Sequence, residues 1–313
     1  MSHELAAYIP SDPLDASRWS RLMARFMDTH PTEAAQEALF AQGDGPTLEH
    51  LLEALAGDPE AMAEDHALLA WEALDVDDVE AAQPHFEAAW ALAPTHPEVR
   101  ILEAVLQLEP EARAERLEAL ATEVRAGLDE ESLQALSEGE GVEDLGCLRL
   151  HRCLREWAYT LGELDRPADV VALADEIFRE SGADAFGIFP LFVHAALQVE
   201  DLDILDTWTA RMGTDSPALM HWLQAYLAFS QDQPGAAFQS LRRARKATRG
   251  VESALFQWEA ALPGLADLPE GSEAPDLPLP TDPASAAVVR ILGPDLSATP
   301  TFMAWLRKMR SMK

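Results

Sequence analysis

Nine histidines, two cysteines and 55 acidic residues give this chain ample material for proton transfer or metal ligation. What it lacks is the spacing such chemistry needs. The sequence contains no His-Glu-X-X-His helix signature, no clustered Cys/His ligand set, no Gly-X-Ser-X-Gly elbow and no glycine-rich phosphate loop after a strand. Neighbouring carboxylates such as Asp77 and Asp78 are common, but in so acidic a chain they carry almost no information. Catalytic residues, metal ligands and a cofactor are therefore not expected, and the chain reads as non-enzymatic. Cys147 and Cys153 fall on one predicted helix, too far apart along its axis to bridge. They read as thiols of a reducing compartment.

What remains is chemistry suited to recognition. Along Leu145–Leu161 the apolar side is satisfied by Cys147, Leu150, Leu154, Trp157, Ala158 and Leu161, which leaves Arg149, Arg152, Arg155 and Tyr159 on the other side. Arginines so placed could clamp a partner's carboxylate through parallel hydrogen bonds. The competing reading pairs Arg152 with Glu156 one turn on, an exposed contact worth about 0.3–0.5 kcal/mol. Trp222, Tyr226 and Phe229 recur at i, i+4, i+7 and form one stripe, which reads either as an aromatic groove or as core. Leu219, Leu223 and Leu227 make a further apolar face, and a helix apolar nearly all round is normally buried. Trp71 poses the same choice. The basic run Arg242, Arg243, Arg245, Lys246 and Arg249 complements the negative end of its helix, or else serves as a dock for an acidic segment.

The last predicted helix carries Phe302, Trp305, Leu306 and Met309 beside its cations, and residues 284–313 hold five basic side chains against one acidic. The rest of the chain has the opposite sign, since the total is −32. Charge and apolar surface together predict that this tail docks on the body, capping it or filling its groove. A partner-binding or membrane-surface helix is the alternative, although so short a segment would hold a bilayer weakly. General nucleic-acid binding is excluded by the acidic surface, whereas a basic partner would be attracted. The acids also serve plain solubility.

These side chains must be positioned by helices. Of 313 residues 48% are apolar, alanine and leucine dominate, and β-branched runs bounded by turns are missing, so an all-α fold is expected. Helix signals come in short pieces closed by Pro, Gly or Asp, beginning with Asp15–Thr29, Thr32–Ala41 and Thr47–Ala56. Two later stretches, Leu161–Ile177 and Ala228–Ala244, read almost as copies, each an Asp-X-Pro turn opening an amphipathic helix. Superposing Pro167 on Pro234 gives an offset of 67 residues, about two units of a 34-residue period.

The segment His66–Pro94 resembles a tetratricopeptide repeat. Ala70, Ala82, Phe86, Ala89 and Pro94 stand at the family's spacings for the small helix-contact residues, the bulky filler and the closing proline. It departs from the pattern at Ala73, where an aromatic is usual, and at Asp77, where glycine is common. Ala225, Ala237, Leu241 and Ala244 give a second good match, and Ala158, Val170, Ala174 and Ile177 a weaker one. The resemblance implies a right-handed α-solenoid of helical hairpins whose concave face holds a protein or peptide. Its inner face places Trp71, Arg152, Arg155, Tyr159, Trp222, Tyr226 and Phe229 among the partner-binding positions, while the tail's own charge and apolar residues assign Phe302, Trp305, Leu306 and Met309 to tail docking.

The expected organisation is an irregular helical cap over 1–62, repeats over 63–268, a Pro/acid-rich linker over 269–284 and a basic helical tail over 285–313. An acidic loop, Glu138–Gly146, interrupts the stack. With no targeting segment or membrane span legible, the expected location is cytoplasmic. The expected function is that of a scaffold or adaptor. The alternative is an acidic chaperone or assembly factor that shields a basic or aggregation-prone client, for instance in secretion or surface-machine biogenesis.

Overall fold

Proline at the first helical turn, often behind a short acidic residue, opens one helix after another in this chain. Asp58 accepts hydrogen bonds from the backbone N–H groups of Glu60 and Ala61, and Pro59 follows it with no N–H to satisfy. Asp282 does the same for Ser285 ahead of Pro283. The computed structural model describes residues 13–41, 46–76, 78–138, 145–181, 187–211, 217–266 and 279–311, and every regular element among them is an α-helix. Asp77 and most of the expected 269–284 linker and Glu138–Gly146 loop lie outside the described residues.

Packing divides the chain into two compact units, 1–129 with 145–157, and 130–144 with 158–313. The divide between 157 and 158 falls within one helix, Leu145–Glu163. The first unit contains α1 (Pro13–Thr29), α2 (Glu33–Phe40), α3 (Leu48–Leu55), α4 (Pro59–Asp75), α5 (Val79–Leu92), α6 (Pro97–Gln107), α7 (Pro110–Ala126) and residues 145–157. On α1, Trp19, Leu22, Met23 and Phe26 repeat at i, i+3, i+4, i+7 and bury one face against Leu51 and Leu55 of α3. The Trp19 indole N–H, sealed in that core, donates to the Pro46 carbonyl at 2.6 Å. Helices α4 and α5 form a closely packed hairpin, and α6 packs on both of them and on α7.

The second unit contains α8 (Glu130–Glu138), the C-terminal end of α9 (Leu145–Glu163), α10 (Pro167–Ser181), α11 (Phe189–Gln198), α12 (Leu202–Arg211), α13 (Pro217–Ser230), α14 (Pro234–Ala247), α15 (Val251–Ala266), α16 (Pro283–Ser297) and α17 (Pro300–Ser311). Three of its turns are built alike. Asp165, Glu200 and Asp232 adopt φ of 53°, 58° and 54°, a left-handed conformation that usually calls for glycine. In each turn the N–H of that residue returns to the carbonyl three before it, Gly162, Leu197 or Phe229. The next N–H reaches the carbonyl five before it, Leu161, Ala196 or Ala228. This double bond pattern terminates one helix and aims the next back along it. In the first unit the Asp78 N–H makes the same long reach to the Ala73 carbonyl between α4 and α5.

The small and bulky residues that carry the repeat pattern all face inward. Ala70, Ala82 and Ala89 are fully buried, Phe86 nearly so, and so are Ala225, Ala237, Leu241, Ala244, Ala158, Val170, Ala174 and Ile177. Alanine at these contacts lets helix axes approach, and α4 with α5 and α13 with α14 pack extensively among the described residues.

Candidate functional site

Two constellations collect the residues with recognition chemistry, one in each unit. In the first unit, arginines at i, i+3, i+7 on α1 and at i, i+3, i+6 on α9 grip the carboxylates of α4 and α6. Arg18 holds Asp65 with two nitrogens at 2.7 and 2.8 Å, and Arg25 meets Asp58 at 2.7 Å. From α9, Arg149 reaches Glu64 at 2.9 Å, Arg152 reaches Glu98 at 2.8 Å and Arg155 reaches Asp75 at 2.9 Å.

Glu98 is the centre of this network. Only 1% exposed, it also accepts the indole N–H of Trp71 at 3.1 Å and lies 4.0 Å from Arg21. Burial opposes its charge, but the Arg152 and Arg21 guanidiniums and the Arg152 hydrogen bond outweigh that, so its carboxyl sits below the usual carboxylate range. The Arg152 guanidinium lies 5.2 Å from the centre of the Trp71 ring, a cation–π contact that completes the set. Trp71 is therefore buried packing with a polar anchor, and Arg152 serves α6 rather than Glu156 one turn on. Glu156 instead approaches Arg155.

Beside this network a cavity of about 250 Å³ is lined by Arg25, Glu60, Glu64, Thr95, His96 and Arg149. Its arginines already meet Glu60, Asp58 and Glu64. Nearby Cys153 donates to the Leu117 carbonyl, and burial together with Glu98 and Glu156 pushes its thiol up to about 12, so it stays protonated and unreactive. Neither cysteine is in a disulfide, and both are buried. Among the described residues no group of three or more His, Cys, Asp or Glu side chains is placed to hold a metal ion.

The second constellation is aromatic. Trp222 on α13 is 1% exposed, its N–H donating to the Thr248 hydroxyl at 2.9 Å, so it belongs to the core. Tyr226 and Phe229 meet Phe302 of α17 with ring centres 5.1 and 5.3 Å apart, and Phe229 meets Trp305 at 5.3 Å. Phe302 and Leu306 are fully buried, Trp305 and Met309 half-buried. The stripe that reads as groove or core is thus covered by the chain's own last helix. Ahead of it, α16 packs on α11, α13 and α15, with Val288, Val289, Leu292 and Leu296 all fully buried. Gly293 allows this approach, because a Cβ there would stand 3.1 Å from the Trp258 ring. At the other flank His194 of α11 meets Asp295 of α16 at 3.1 Å, and that hydrogen bond raises the imidazole pKa despite partial burial.

Of the residues expected to bind a partner on the concave face, Trp71 and Trp222 are buried, whereas Arg155 and Tyr159 keep 28% and 39% exposure. Arg18, Arg21, Arg25 and Glu98 were not among them, although the matched spacing of arginines on α1 and α9 was a usable signal. Comparison with family models, with curated proteins and with solved structures gave no match. No described helix is long and apolar enough to cross a membrane.

Proposed function

We propose that this chain is a non-enzymatic adaptor built from tetratricopeptide-like helical hairpins, stacked within each unit in the manner of that family's α-solenoids, and that it binds a protein or peptide partner. The observation that carries the reading is the recurrence of one hairpin turn. Asp165, Glu200 and Asp232 stand 35 and 32 residues apart with the same backbone conformation and the same two hydrogen bonds. Hairpins repeated at that period bury each other's apolar faces and leave helix surfaces free for contact.

The partner contacts are drawn from the exposed members of the set. Trp71, Trp222 and Arg152 act by positioning helices, whereas Arg155 and Tyr159 are reachable. The acidic surface raises encounter rates with basic partners. The test is capture by the full chain, purification of the captured protein and reconstitution of the pair from separate components. A stable complex of defined stoichiometry is the expected result. Binding only to an isolated unfolded segment, with release on hand-over, would support the chaperone alternative, and chemical turnover of the partner would refute both.

A further inference from the structure

Helices α14 and α17 contain no acidic residue, although 55 of the chain's 313 residues are Asp or Glu. The arginines of α1 and α9 show how readily carboxylates are found in this protein, since Arg18, Arg21, Arg25, Arg149, Arg152 and Arg155 are all paired. On α14 and α17 that pattern stops. Arg245 binds Glu252 and Arg307 binds Glu259, but Arg242, Lys246 and Arg310 are exposed and, among the described residues, make no ion pair. Helical periodicity puts Arg242, Arg245 and Lys246 on one side of α14. The two helices converge, because Arg245 and Arg310 line the same shallow cavity of about 130 Å³. Arg310 lies 5.7 Å from the Phe256 ring, a cation–π contact that favours its position over that ring.

We propose that the exposed cations of α14 and α17 form a second docking face, one that takes an acidic polypeptide segment through carboxylate–arginine contacts. The occupant follows from charge. A local patch of a few cations on a body of net charge −32 can attract a short run of carboxylates. A duplex or an anionic bilayer extends well past such a patch and meets the surrounding acidic surface. This face is independent of the partner surface proposed above and opposite to it in charge preference.

The experiment uses the full chain and a fluorescent decaglutamate peptide at about 0.1 M salt, where the screening length is about 10 Å and the local patch decides. Salt-sensitive binding is expected, weakened about tenfold or more by Arg242→Glu, Lys246→Glu and Arg310→Glu combined. Charge reversal at Arg166 and Arg179, exposed elsewhere in the same unit, is expected to leave it unchanged. All five side chains are exposed, so thermal unfolding should confirm that both variants fold like the parent. No binding, or equal loss in the two variants, would overturn the proposal. So would tighter binding of duplex DNA or of phosphatidylserine vesicles than of the peptide. Self-association abolished by the triple substitution, without peptide binding, would assign the face to a second copy of the chain instead.

Discussion

The two units solve the same packing problem with different chemistry. In the first, α9 is fastened by arginines to carboxylates on α4 and α6, around a Glu98 that is almost wholly buried. In the second, α17 is fastened by Phe302 and Trp305 to Tyr226 and Phe229, and its cations stay at the rim. Ionic fastening depends on pH and on every partner being present, because a buried charge left alone is costly. Aromatic fastening depends on shape and area. The difference predicts separate vulnerabilities for the two halves.

The largest effect is expected in the aromatic unit. Phe302→Ala removes a fully buried ring that touches three others, and should cost about 3–5 kcal/mol. Hydrogen exchange should show the loss of protection in α13, α16 and α17. In the ionic unit, Glu98→Ala leaves Arg152 and the Trp71 N–H without their acceptor and should cost about 3 kcal/mol. Its exchange signature should fall on α4, α6 and residues 145–157. If either substitution loosened both units equally, the contrast between them would fail.

A smaller and more diagnostic effect concerns pH. Glu98 is held below the ordinary carboxylate range, and burial pushes His66 below the ordinary imidazole value. Stability from both is present above their unfolded pKa values and is lost as pH falls through the lowered folded values, so the first unit should open first in acid. His194 has the opposite sign. Its contribution is full below the unfolded imidazole value near about 6.5 and fades as pH rises through the raised folded value. Hydrogen exchange followed from about pH 5 to 8 should therefore show α4, which carries His66, gaining protection while the contact between α11 and α16 weakens, and the loss at α6 through Glu98 should appear only in more acidic solution, below the ordinary carboxylate value. Parallel behaviour in both units would contradict the assigned signs.

The smallest effect belongs to Arg155→Ala. It loses contacts with the half-exposed Asp75 and with Glu156, so unfolding should shift by about 1–2 kcal/mol while partner binding falls.

Local features were the legible ones. Thr47, Pro167 and Pro234 mark helix starts within a residue or two, because capping needs only neighbouring atoms. The buried alanines of α4, α5, α13 and α14 were legible for the same reason, as their spacing reflects a contact repeated within each hairpin. The partnerships across the sequence were not. Arg152 had Glu156 one turn away and chose Glu98, 54 residues distant, because the fold buries Glu98 and leaves no other cation so well placed. In a chain with more than twice as many acids as bases, sequence offers each arginine many acceptors and topology selects one. The aromatic stripe of α13 was ambiguous because groove and core require the same residue types. Only the position of α17 distinguishes them.

The claim that this molecule works by holding a partner is tested most directly by calorimetric titration of the full chain with its purified captured protein. The account predicts stoichiometric heat, an affinity that weakens with salt, and loss of binding on combined Arg155→Ala and Tyr159→Ala with cooperative unfolding retained. A partner that binds equally well to that variant, or gives no saturable heat at all, would contradict it.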